Sequence, residues 1–336
     1  MTHENTFLQK QLTILVLAAF LTDSFIQPFG RQTAVLPARV SILAGALQCA
    51  VLWCVCLAYA WACRRTAPGK LENSLLCAAL VLSIALEIIQ GERFYNYVMQ
   101  QQLPAAVFLA LVFAAAYYGA FAGVQALSRA AWVVLGLTAA SVALLSCSVA
   151  SQMQFSHLQT PAAGLPQLAD AAAQQFYLPP ELLLLPFLCG RPGSQKGSTR
   201  LIWAVFLTNC LLCLLGELTM GAAYAHTTQP VFTIARLGGL SVFRRLDALH
   251  VGVWLLLFLV KITLYFAGFI RLWPKGFIPS GRHAPYWVAF WAVIVVFLAV
   301  WNQNEGPAFW VQQGLLAAVA LCMLGRRALG AVRRAR

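Results

Sequence analysis

A chain of 336 residues that is 61% hydrophobic and only 10% charged is not a soluble globule, because soluble domains carry about 25% charged side chains. Its net charge of +13 suggests nucleic acid only until the basic residues are placed along the chain, where they follow a membrane topology instead. Apolar windows of roughly 20 residues, the length that crosses a hydrocarbon core of about 30 Å, recur from end to end. They predict ten spans, at about 11–28, 40–63, 73–91, 104–127, 131–151, 175–190, 200–225, 246–272, 284–302 and 308–325. Little sequence remains for a soluble domain, so residues 1–336 are expected to form a single all-α, polytopic transmembrane domain. Met1 to Lys10 lacks the basic n-region and cleavage site of a signal peptide.

The first span loses its apolar character after Leu21, in the run Leu21-Thr22-Asp23-Ser24-Phe25-Ile26-Gln27-Pro28. The third carries Glu87, and the polar, aromatic stretch Gln90–Gln102 is expected to prolong it into the outer interface. The fourth and fifth spans are divided near Arg129. A long outer loop, Gln152–Gln175, without Lys or Arg, separates two sets of five spans, about 11–151 and 175–325. The sixth span reads Phe176-Tyr177-Leu178-Pro179-Pro180-Glu181 and is expected to end at Pro186, since proline removes a backbone donor and clashes with the preceding turn. Interrupted helices at corresponding positions of two halves point to a ligand site at a repeat interface. Freed backbone groups there can bind a carboxylate or an ammonium, because irregular backbone is tolerated only where it lines a cavity. The plainer alternative is that Asp23 and the Pro-Pro pair mark helix ends at the outer surface. Thr227–Arg245 reads as a long ordered loop, and the chain closes on a basic tail, 326–336.

With ten spans and this tail inside, 16 Lys and Arg fall in inner segments and 6 in outer loops, the bias of the positive-inside rule. Both termini are then cytoplasmic. The remaining base, Lys261, lies near the middle of the eighth span, where a lysine costs from about 3 kcal/mol upward unless paired or hydrated. The intramembrane acids Asp23, Glu87, Glu181 and Glu217 all fall in the outer halves of their spans. They suggest a wet vestibule or a network paired with Lys261, while Glu87 and Glu217 could equally snorkel to the interface. Asp247, Trp254 and Lys261 recur every seven residues and so share a face, with His250 and Tyr265 on or near the same stripe. Asp247 and Lys261, about 21 Å apart along a helix, cannot pair; Asp247 suits the first helical turn, within reach of Arg244 or Arg245. The ten cysteines lie in or beside apolar runs and read as small buried hydrophobes. Cys210-x-x-Cys213 lacks a second pair or a nearby histidine, and the five scattered histidines offer no metal site. There is no nucleophile elbow, P-loop or HExxH motif, so neither a cofactor nor catalysis is expected, and a membrane enzyme acting on lipid-linked substrates has no reactive constellation to support it.

The segments Pro230-Val-Phe-Thr-Ile-Ala-Arg236 and Phe243-Arg-Arg-Leu-Asp-Ala-Leu249, followed by Trp254, Lys261-Ile-Thr-Leu and Tyr265, resemble the loop and eighth helix of the spore germination permease family, the B-subunits of nutrient germinant receptors. Tyr117-Tyr-Gly-Ala-Phe-Ala-Gly-Val-Gln-Ala-Leu-Ser-Arg129 and Pro180-Glu-Leu-Leu-Leu-Leu-Pro186 match in the expected order. The resemblance departs at Thr22-Asp23-Ser24, where the family usually has a glycine-containing break, and the last two helices match in hydropathy alone. It implies an amino acid–polyamine–organocation (LeuT-like) fold of two inverted five-helix repeats with broken first and sixth helices. It further implies sensing of a small nutrient such as an amino acid, in the inner spore membrane, beside A- and C-type receptor subunits. The candidate ligand contacts are Asp23, Ser24, Glu87, Tyr177, Glu181, Trp254 and Phe258, with Lys261 and Glu217 as charge-pairing or coupling residues. The alternative is a proton- or cation-coupled amino acid permease.

Overall fold

The computed structural model describes residues 2–26, 28, 37–63, 69–99, 104–158, 165–189, 195–238, 246–273, 288–289, 291–294, 297 and 305–335. Every regular element among them is helical: α1 (Thr2–Ser24), α2 (Ala38–Cys63), α3 (Lys70–Met99), α4 (Ala105–Ala122), α5 (Val124–Val149), α6 (Leu165–Gln175), α7 (Pro180–Cys189), α8 (Gln195–Met220), α9 (Pro230–Leu237), α10 (Leu246–Leu272) and α11 (Glu305–Ala335), with short 3-10 turns after α5 and α8. Stretches within α2, α3, α5, α8, α10 and α11 are long and apolar enough to cross a bilayer, and shorter apolar helices run over Gln11–Ser24 and Ala110–Ala122. The chain is a multi-pass membrane protein. Of the expected ninth span, 284–302, residues 288–289, 291–294 and 297 are described, and they are helical.

α10 is the axis of the bundle. It packs against α1, α3, α4, α5, α7 and α9, and from Lys261 to Phe269 every one of its residues is buried, as a helix enclosed on all sides must be. Toward the periphery, Leu111, Trp132, Val133, Leu207 and Leu321 are each more than half exposed and form the lipid-facing surface. Lipid is as apolar as a leucine core, so close packing and polar contacts between helices must fix the arrangement. One such contact lies between α3 and α10. A Cβ built on Gly91 would meet Cζ of Phe258 at 2.5 Å, so only glycine lets the tip of that ring come so close to α3.

Several boundaries differ from expectation for identifiable reasons. The fourth and fifth helices part at Gly123, not near Arg129. Gly123 adopts φ 89°, which ends α4, and α5 restarts at Val124, leaving Arg129 exposed in its second turn. α7 does not stop at Pro186 but continues to Cys189. Proline is tolerated in a membrane helix, and Tyr59 of α2 ties down this turn by donating at 3.4 Å to the carbonyl of Leu183, next to the Leu182 carbonyl that Pro186 leaves without its helical donor. The outer loop is partly ordered, with α6 packed along α2. Within Thr227–Arg245, α9 opens with proline at its first position, where the missing N–H costs nothing. The basic tail is not a separate segment: its Ala, Leu and Arg residues are strong helix formers, and α11 runs unbroken through it to Ala335.

Candidate functional site

The end of α1 and the start of α7 lie beside the middle of α10. α1 ends at Ser24, and Phe25 and Ile26 turn back through bonds from their N–H groups to the carbonyls of Thr22 (3.3 Å) and Asp23 (3.1 Å). At the start of the expected sixth span, 175–190, α6 of the outer loop ends at Gln175, residues 176–179 are extended, and α7 begins at Pro180. Asp23 therefore sits in the last turn of α1, where the helix dipole disfavours a carboxylate, and Glu181 in the first turn of α7, where the dipole favours one.

Lys261 joins these ends. Its ammonium lies 2.7 and 2.8 Å from the two carboxylate oxygens of Asp23, 2.8 Å from Oε1 of Glu87 on α3, and 3.5 Å from Oε1 of Glu181. Asp23 and Glu87 between them take the three N–H donors of the lysine. Glu181 is served by the Tyr265 hydroxyl, which donates to its Oε1 at 2.5 Å. Lys261 is wholly buried, Glu87 and Glu181 nearly so, and only Asp23, at 16% side-chain exposure, reaches the edge of the cluster.

The magnitudes show that the lysine is over-compensated. One charge pair about 4 Å apart is worth about 4 kcal/mol at an effective dielectric of about 20. That is of the same order as the cost of a lysine at membrane depth, at least about 3 kcal/mol. A single acid would suffice, yet three converge. Among the described residues, with all groups ionised, the cluster sets three carboxylates against one ammonium.

Aromatic rings cover the cluster toward the start of α10. Trp254 and Phe258 stack at 5.0 Å, Trp254 meets Phe94 of α3 at 4.3 Å, and Phe94 meets Phe232 of α9 edge-on at 6.0 Å. His250 stacks on Phe25 at 5.3 Å and its Nε2 donates to the Phe25 carbonyl at 3.1 Å, occupying an acceptor freed where α1 stops. His250, Trp254, Phe258, Lys261 and Tyr265, three or four residues apart, form one continuous face.

The structure thus unites Asp23, Glu87, Glu181 and Lys261, with Trp254 and Phe258 beside them on α10 and Ser24, buried, next to Asp23. Tyr177 lies on the extended link, its ring stacked on Phe309 of α11 at 6.1 Å and its carbonyl accepting from Gln48 of α2. Glu217 is not among the carboxylates around Lys261. Its Oε2 accepts from the N–H of Ala38 at 2.7 Å, tying the start of α2 to α8. Arg244 and Arg245, expected near Asp247, lie outside the described residues. Several of the N–H groups expected for a ligand carboxylate are already used among the described residues. Leu178 N–H donates to Oε1 of Gln313 at 2.8 Å, Leu182 N–H to the carbonyl of Pro179, and Pro179 and Pro180 have none to offer.

Three contributors escaped the sequence reading. Tyr265 was placed on the stripe without a partner. Gln312 donates to the Ser83 hydroxyl at 2.6 Å, one turn from Glu87, and Gln313 holds the link just before Glu181. Two adjacent amides within the apolar run 308–325 were the available signal. Farther along α11, Arg326 pairs with Glu72 at 2.8 Å and Arg327 lies over the ring of Trp61 at 4.8 Å.

No curated protein matches the chain. The family described as spore germination protein, a permease family, matches residues 75–306, well over half of the sequence and including α3, α7 and α10 with Glu87, Glu181 and Lys261. The chain belongs to the spore germination permease family.

Proposed function

We propose that the chain is a small-nutrient sensing subunit of a germinant receptor, and that the Lys261 cluster is where the nutrient acts. Its fold on this reading is that of a transporter, with two inverted five-helix repeats whose opening helices break beside the ligand. It sits in the inner spore membrane with both termini cytoplasmic and passes a change of shape to A- and C-type partner subunits. The family is one of receptors or transporters rather than enzymes. The observation that carries the proposal is the convergence of carboxylates from three helices on one buried ammonium, two of them at helix ends that meet in mid-bundle. Intramembrane ionisable groups are retained at a cost and mark ligand or ion paths. A nutrient that rearranges this cluster shifts α1, α7 and α10 relative to one another, which is the differential contact a two-state receptor requires.

The test is germination of spores carrying Lys261→Met in place of the parent chain, at matched protein level. Loss of the nutrient response with normal response to a receptor-independent trigger is the expected result; an unchanged nutrient response would refute the sensing role. The surplus negative charge also favours a second reading, a proton- or cation-coupled amino acid permease with Lys261 in the coupling position. Saturable, gradient-driven uptake of labelled amino acids into proteoliposomes holding this chain alone would establish transport.

A further inference from the structure

Lys261 is a primary alkylammonium, and Asp23, Glu87 and Glu181 hold it as a receptor holds such a ligand, with contacts of 2.7, 2.8 and 3.5 Å from three separate helices. We infer that these three carboxylates form an ammonium-binding cage with a tethered occupant, and that the cage takes an external primary ammonium without a free carboxylate in exchange for the Lys261 head group. The inference rests on the cluster being the ligand site proposed above, and it narrows the nutrient from amino acids to amines, amino alcohols or amino amides.

Four features select that class. Among the described residues the cage sets three acids against one base, and exchange of one ammonium for another preserves that balance, whereas an added carboxylate aggravates it. Glu181 is fully buried, and its Oε2 has no hydrogen-bond partner among the described residues, leaving an acceptor for an incoming N–H. Four described N–H groups at these helix ends, those of Phe25, Ile26, Leu178 and Leu182, already have acceptors within the protein, which weakens the site for a carboxylate. Trp254, one per cent exposed, also keeps an unpartnered indole N–H, a donor suited to a neutral hydroxyl or amide on the same ligand. Its ring and that of Phe258, stacked at 5.0 Å, supply the apolar and cation-attracting wall that alkylammonium groups favour. Entry is by Asp23, the one partly exposed carboxylate of the three.

The full chain in nanodiscs is titrated at constant ionic strength with propylammonium, alaninamide, alanine and sodium chloride, with the thermal unfolding midpoint as the readout. Propylammonium and alaninamide are expected to raise the midpoint at concentrations at least tenfold lower than alanine does, and Glu181→Gln to weaken both at least tenfold. Lys261→Ala, where it folds, is expected to be stabilised by propylammonium and not by propanol. Alanine equalling the amines, or sodium producing the same shift, overturns the inference; if Lys261→Ala does not fold, the wild-type comparison decides alone. Because binding is measured on the isolated chain, the two readings fail separately. Amine binding without a germination defect in Lys261→Met spores refutes sensing and leaves the cage, whereas a germination defect without amine binding refutes the cage alone.

Discussion

Replacing Lys261 by methionine keeps much of the side chain's bulk and removes its charge, and the structure sets what that should cost. The ammonium contacts both oxygens of Asp23 and Oε1 of Glu87 at 2.7 to 2.8 Å, and none of the three acids it serves is more than slightly exposed. Removing one partner of a buried ion pair costs about 3–5 kcal/mol, mostly because the other charge is left unpaired. Here three acids lose their shared cation, so Lys261→Met should reduce the unfolding free energy by at least that amount. Lys70→Met, exposed at the start of α3, serves as the control and should leave stability unchanged. If the loss reflects stranded acids, adding Glu87→Gln to Lys261→Met should restore at least about 1 kcal/mol, a coupling of the size seen between contacting residues. The assay is denaturant-titrated unfolding of the purified chain in detergent, followed by tryptophan fluorescence. Equal stability of the Lys261 and Lys70 variants, or a double variant no better than the single one, would show that the cluster does not depend on its cation.

Tyr265→Phe removes the donor to Glu181 and should cost about 1.5–3 kcal/mol, the range for a hydrogen bond to a charged group; a loss too small to resolve in the same titration would mean that Glu181 does not need the phenol. Gly91→Ala forces Cβ against the Phe258 ring, which cannot swing away because Trp254 stacks on it, at an overpacking cost of about 1–3 kcal/mol. A second change, Phe258→Leu, should recover part of that loss, and failure to recover would place the strain elsewhere. Gln313→Leu leaves the Leu178 N–H buried without an acceptor, a penalty of about 1–3 kcal/mol. It should also speed hydrogen exchange at residues 176–179, and unchanged protection there would contradict the anchoring role of α11.

The need for partners around Lys261 was legible in the sequence, because hydropathy alone places a charge at a depth where it cannot stay alone. Three of its partners were visible as acids at a similar depth in other spans. Depth, however, says nothing of angular position around a helix axis or of which helices adjoin. For that reason Glu217 looked like Asp23 and Glu87, yet it faces α2 and holds Ala38. Pairing across 238 residues, as between Asp23 and Lys261, is set by packing of the whole bundle. Pro179 and Pro180 stand where the extended link passes into α7, but Pro186 misled, since α7 continues through it with Tyr59 bonded to the turn from another helix. Gly123 was overlooked because a one-residue joint between two apolar helices leaves no dip in hydropathy, only a backbone angle of 89°.

The two neighbouring glutamines of α11 have a mechanical consequence. One holds α3 beside Glu87 and the other the strap that leads into Glu181, so α11 registers displacement of either. From Gln312 to Arg326 the helix runs about 21 Å at 1.5 Å per residue. A pivot of about 5° at the glutamines therefore carries the arginine about 2 Å sideways over that rise. That is far enough to pull it from Glu72, which it now touches at 2.8 Å. A chemical event deep in the bundle would then surface at the basic end as a latch undone, carried there by a stiff rod.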